Sequence, residues 1–166
     1  MDDKLDFLED QRRYPRFKSS AFLGVPVQVK PLPPFFGNPT KGQLVDLSAG
    51  GMAVLIEEMI PKDTKLQLEL TFPDHSVLES KVRICYAVGK EGGFLIGLEF
   101  KEIPDFMREK ISRMTGDFLD CEKRIRLEEK KLCRLECAFF NICDKPQKTK
   151  MQKELDTTLH MKLEEL

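Results

Sequence analysis

Between residues 21 and 100 the apolar positions alternate with polar ones. Val25, Val27 and Val29 stand at every second position, as do Leu66, Leu68 and Leu70. A period of two marks a strand with one buried face. The spacing predicts strands over 21–30, 43–48, 51–57, 65–72, 77–88 and 93–100. Turn residues bound them: Ser48-Ala49-Gly50-Gly51, Pro73-Asp74-His75-Ser76, and Gly89 to Gly93. Pro26 suits an edge or a strand start, because proline has no N–H to give to a ladder. Residues 31–42 hold four prolines, two glycines and the pair Phe35-Phe36. They read as a loop, with the paired Phe capping the open end of a barrel in preference to forming an exposed contact patch. Short strands without intervening helices imply an antiparallel sheet closing into a small barrel.

From Pro104 the period changes. Positions 107, 111, 114, 118, 121, 125, 128, 132, 135 and 139 carry Met, Ile, Met, Phe, Cys, Ile, Glu, Leu, Leu and Phe. This 4-3-4-3 spacing is an apolar heptad seam. It predicts one long helix over 104–140 that runs through Gly116, or two nearly collinear ones, whose seam needs a partner in the chain's own C-terminal segment or another chain. Asn141 to Pro146 breaks it. Thr149-Lys150-Met151-Gln152 has capping-box spacing, and Met151, Leu155, Leu159 and Leu163 predict an amphipathic helix to the end of the chain. The expected class is mostly β with an α C-terminal extension: a small antiparallel six-stranded barrel followed by long amphipathic helices. The expected division is an Arg-rich linker at 1–18, a barrel at 19–103 and a helical extension at 104–166, with helices at 104–140 and 149–166.

Composition narrows the function. Apolar content of 41% in 166 residues permits a modest core. Charged residues reach 33% but nearly cancel, to a net −1, which argues against a nucleic-acid binder. No run approaches the roughly 18 apolar residues of a membrane span, and the acidic start lacks a signal peptide's apolar core. A cytoplasmic protein is expected. In that reducing setting the five cysteines are thiols or metal ligands rather than disulfides. Cys133, Cys137 and Cys143 have the spacing C-x3-C-x5-C. Cys121 stands twelve residues earlier, about 18 Å along a continuous helix, and does not easily join them. A fourth ligand would come from His160 or another chain. Two readings stand: small buried apolar groups, or ligands of zinc or an iron–sulfur centre. No metal or cofactor is assigned. His75 and His160 lie in no pattern with a nucleophile, and neither Gly-x-Ser-x-Gly nor a phosphate loop is present. No enzymatic activity is expected.

Two short stretches carry binding chemistry. Gln11-Arg12-Arg13-Tyr14-Pro15-Arg16-Phe17 sets three arginines beside an aromatic. Arginine binds phosphate oxygens or a guanine edge through two parallel N–H groups. Pro15 holds Tyr14 toward extended backbone, so the stretch is a linker. Thirty residues after Arg16 comes Asp46-Leu47-Ser48-Ala49-Gly50-Gly51. Its carboxylate can accept from a paired donor edge, and its hydroxyl can give and accept. Its glycines can take positive φ and let a ligand approach the backbone.

Together these stretches resemble the PilZ domain, a bacterial receptor module for cyclic di-GMP. The family's R-x-x-x-R falls on Arg12 and Arg16, and its D/N-x-S-x-x-G on Asp46, Ser48 and Gly51. The run 92–100 resembles the family's last barrel strand. The resemblance spans roughly residues 9–115 and implies a cyclic di-GMP site at Arg12, Arg13, Arg16, Asp46, Ser48, Gly50 and Gly51, with Gly51 leaving room for ligand. It implies signalling by ordering of the linker, with the extension as output to a second copy or a partner protein. Gln11, just before the first arginine, leaves open whether one or two ligands are held. The alternatives are a PilZ-fold interaction or oligomerisation module without ligand, and a cysteine-based metal or redox sensor.

Overall fold

The computed structural model describes residues 13–17, 25–33, 37–129, 133–140, 143, 145–148, 151 and 153. Arg12, Gln11, Phe35-Phe36, His160 and most of the expected C-terminal helix lie outside the described residues.

Six strands form where alternation placed them: β1 (Pro26–Pro31), β2 (Thr40–Ser48), β3 (Gly51–Ile56), β4 (Lys65–Thr71), β5 (Val77–Lys90) and β6 (Gly93–Glu102). All neighbours are antiparallel, and the order β1-β2-β3-β6-β5-β4 closes on itself. Closure removes the free edges that an open sheet would expose. Pro26 stands at the first position of β1. Val27 and Val29, Leu66, Leu68 and Leu70, and Leu78, Val82 and Ile84 point inward and are buried. The helix α1 (Asp105–Arg126) follows, and among the described residues beyond it 146–148, 151 and 153 are also helical. Met107, Ile111 and Met114 seal α1 onto the barrel end that carries the β2–β3 and β4–β5 turns. Its Lys110 meets Asp74 and Ser76 in the β4–β5 turn. Burial raises the Asp74 carboxyl, but the bonds from Lys110 and Ser76 outweigh it and bring the pKa down from 3.8 to about 2. Among the described residues, no helix is long and apolar enough to cross a membrane.

The expected long helix over 104–140 is corrected. α1 stops at Arg126, and residues 133–140 are turns and irregular backbone. The stop is a Schellman motif: the Glu128 N–H donates to Ile125 O at 3.1 Å and the Glu129 N–H to Arg124 O at 3.2 Å. Glu128 takes the left-handed position, φ 55°, where glycine is usual. Lys123, Arg124 and Arg126 crowd the last turn, where cations favour the helix dipole. Beyond Phe118 the helix has run past the barrel, so a continued seam would lie in water. Turning back buries Phe139 instead. Its ring meets Phe17 edge-on at 5.6 Å and Phe118 at 5.3 Å, while Phe17 and Phe118 stand 5.5 Å apart. The Asp117 carboxylate secures the return by accepting the Ala138 N–H at 2.7 Å.

Candidate functional site

Strand β2 does not alternate throughout. Leu44 and Leu47 are both buried in the core, three positions apart. The ladder skips Val45: Leu44 pairs with Val54, and Asp46 with Ala53. This one-residue bulge shifts the parity of the strand. Without it Asp46 would share Leu44's inward face. With it, Leu47 faces the core, and Asp46 and Ser48 face outward beneath the linker.

The linker is tied down there as a short strand. The Phe17 N–H donates to Leu47 O at 3.0 Å, and the Leu47 N–H to Phe17 O at 3.2 Å. That pairing carries Arg16 to 3.6 Å from Asp46 Oδ1. The same oxygen accepts the Ala53 N–H at 3.1 Å. Asp46 is only 8% exposed, so the carboxylate is held in one place. Ser48 Oγ donates to Gly51 O at 3.0 Å and accepts the Gly50 N–H at 3.3 Å, which clamps the hairpin. Two guanidinium groups stand near the Tyr14 ring, Arg13 at 5.4 Å and Arg108 at 5.6 Å from its centre. Both distances are within cation–π range. Arg108, in the first turns of α1, also donates to Ala49 O at 2.9 Å.

The structure thus brings together Arg13, Arg16, Asp46, Ser48, Gly50 and Gly51, with Arg12 outside the described residues. Two roles change. Gly50 and Gly51 do not have positive φ; among the described glycines only Gly92 and Gly93 do. And the space at Gly51 is filled by the protein itself: a Cβ there would stand 2.0 Å from Leu98 O in β6. Gly51 is required because β6 passes too close for any side chain. Gly50 instead faces the linker, where a Cβ would meet Tyr14 Cδ2 at 2.8 Å. Sequence reasoning missed Arg108, which lies beyond both motifs and reaches them only because α1 packs across the hairpin end.

A family model described as the PilZ domain matches residues 10–117, well over half of the chain. The chain belongs to the PilZ domain family. Solved structures share its fold at low identity. The inhibitor of motility MotI/DgrA of Bacillus subtilis aligns with a TM-score of 0.54 at 17% identity, covering 72% of this chain and 53% of that one. YcgR of Escherichia coli, in complex with c-di-GMP, aligns at 0.53 and 19%, covering 71% and 50%. The PilZ domain of YcgR with c-di-GMP aligns at 0.51 and 18%, covering 72% and 98%. The chain spans about half the length of MotI/DgrA and of YcgR. No curated protein matches it in sequence.

A second grouping lies at the far end of this PilZ chain's helix. Because α1 ends at Arg126, the expectation that Cys121 stands apart from the other thiols is corrected. Cys121, Cys133, Cys137 and Cys143 all line one cavity between α1 and the returning segment. Burial and then the thiolates of Cys143, Cys121 and Cys137 push the Cys133 thiol above its ordinary value. Burial likewise raises Cys137, with Asp117, Cys143 and Cys121 adding to it against a backbone hydrogen bond at Phe139.

Proposed function

We propose that this PilZ domain is a receptor for cyclic di-GMP, held between the Arg12–Arg16 linker and the outward face of β2. The observation that carries the reading is the pairing of Arg16 with a buried, fixed Asp46 beneath a linker rich in arginine. Cyclic di-GMP offers two guanines and two phosphates. Arg12, Arg13 and Arg16 engage phosphate oxygens or the guanine O6/N7 edge, both of which match a guanidinium fork. Asp46 accepts from guanine N1–H and N2–H, a donor pair that only a carboxylate meets fully. Ser48 bonds a phosphate or base edge. Structural neighbours that hold c-di-GMP support the ligand class.

Ligand binding would draw Arg12, Arg13 and Arg16 into one conformation, and the cost of ordering them makes the linker the switch. The route outward starts at Phe17, next to Arg16, whose ring packs on Phe118 and Phe139 of the extension. The extension then acts on a partner protein or a second copy.

Calorimetric titration of the purified chain with cyclic di-GMP tests the reading. Saturable binding is expected at micromolar concentration or below. Arg16→Ala removes a charge-assisted contact, and Asp46→Asn keeps the bond to Ala53 N–H while removing one acceptor. Each should weaken binding roughly 10- to 100-fold, as loss of a hydrogen bond to a charged group does. Near-normal affinity in both variants would sink the site assignment; no binding by a folded wild type would sink the receptor reading.

A further inference from the structure

The cysteines are not spread evenly over the fold. Cys85 sits alone on β5, and its thiol faces Arg83 O and Glu99. The other four come from α1 and from the segments that follow it, twenty-two positions from first to last, and reach a single cavity. Because α1 stops and the chain turns back, Cys121 stands across that cavity from Cys133 and Cys137 rather than a dozen residues further along one rod.

The segment that brings them there has little of its own to hold it. Among its described residues only Phe139 is fully buried, and Leu135 is 61% exposed. Of its ion pairs, Arg134 with Asp117 and Asp120 lie at the surface, where such pairs contribute little, and Lys145 with Glu122 is the more buried tie to α1. Ordering a stretch of irregular backbone costs more than one aromatic ring offsets. Small units of this kind are ordinarily stapled by disulfides or a metal, and all four cysteines are free thiols.

We propose that Cys121, Cys133, Cys137 and Cys143 form a tetrathiolate metal centre, of the iron–sulfur or zinc class, that fastens the returning segment to α1. Four soft sulfur ligands select these two classes over magnesium, calcium or manganese. Each thiol gives its proton to solvent as it ligates. Four thiolates leave a zinc or cluster site with net negative charge, and Arg124, Arg134 and Lys145 line the same cavity to offset it. Among the described residues no three His, Cys, Asp or Glu side chains are gathered tightly enough to hold a single ion. Thiols spread around a shared space suit a cluster, whose ligands bind separate iron corners. A single zinc ion would have to draw them inward.

The test uses the full chain without a His tag, purified anaerobically. Metal content and absorption are measured as isolated, and again after incubation with zinc alone or with an equimolar mixture of ferrous and ferric iron and sulfide. Stoichiometric iron with acid-labile sulfide and a visible thiolate-to-iron band supports a cluster; a colourless chain holding one equivalent of zinc supports the mononuclear form. Single Cys→Ser changes at positions 121, 133, 137 and 143 should each lower metal content several-fold, whereas Cys85→Ser leaves it unchanged. Chelation should lower the melting temperature of the loaded wild type. A cooperatively unfolding wild type that stays metal-free after both incubations overturns the proposal, whether or not the variants fold. So does full metal retention in folded Cys121→Ser.

Discussion

Adjacent glycines in the β2–β3 hairpin should respond in opposite ways to the same methyl group. In Gly51→Ala the new Cβ stands 2.0 Å from Leu98 O, and real Cβ atoms stay beyond 3.0 Å, so β3 and β6 must part by at least 3.0 − 2.0 = 1.0 Å. The obstacle is backbone within a closed barrel, which cannot rotate aside. A ladder bond near 3.0 Å, such as Phe100 N–H to Gly50 O beside it, is lost at that separation. One or two buried bonds broken at about 1–3 kcal/mol each give a destabilisation of roughly 2–5 kcal/mol. For a chain of this size that lowers the melting temperature by about 10 °C. In Gly50→Ala the Cβ meets Tyr14 Cδ2 at 2.8 Å. The ring belongs to a half-buried linker residue and can swing away, so stability should change by less than about 1 kcal/mol. Displacing Tyr14 from Arg13 and Arg108 disturbs the arginine cluster, so affinity for cyclic di-GMP should fall several-fold. The assay is thermal and urea unfolding of both variants, with a ligand titration of Gly50→Ala. Equal stability of wild type and Gly51→Ala would refute the close-approach argument. Equal destabilisation of the two variants would refute the distinction between them.

Two further outcomes are expected. Asp74 has a depressed pKa, about 2 against 3.8, so its bond to Lys110 contributes stability above the unfolded value and loses it as pH falls through the folded value. The melting temperature of the wild type should therefore decline between about pH 4 and pH 2, and Lys110→Ala should remove part of that decline; an identical acid profile in the variant would contradict the pairing. Phe139→Ala deletes a ring that is 2% exposed and should cost about 3 kcal/mol in unfolding measurements, as buried aromatic truncations do. An unchanged unfolding midpoint would mean that the returning segment does not pack on Phe17 and Phe118.

Much of the barrel was legible because strands write their period into neighbouring residues. Alternating valines and leucines, cut by Gly, Pro and Asp turns, are local features, and they placed all six strands. Val45 shows the limit. Its bulge is visible in the sequence only as Leu44 and Leu47 standing three apart, a small departure that reads as noise until the ladder with β3 is seen. Yet that departure decides which way Asp46 and Ser48 face. The helix end was hidden for a different reason. The heptad phase ran on through residues 127–139 with no Gly or Pro, and Glu128 holds the left-handed position without the residue that usually announces it.

By itself the sequence determined the strand periods, the turn positions, the start of the helix at Pro104 and the two motifs of the family, since each depends on residues a few positions apart. Only the tertiary structure decided where α1 stops, why Gly51 admits no side chain, how Arg108 joins Tyr14, and that Cys121 meets Cys133, Cys137 and Cys143. Each of these turns on a contact between residues far apart in the chain: Ala138 with Asp117, Leu98 with Gly51, Phe139 with Phe17. Such contacts depend on how the elements are arranged in space, which no local pattern of side chains encodes.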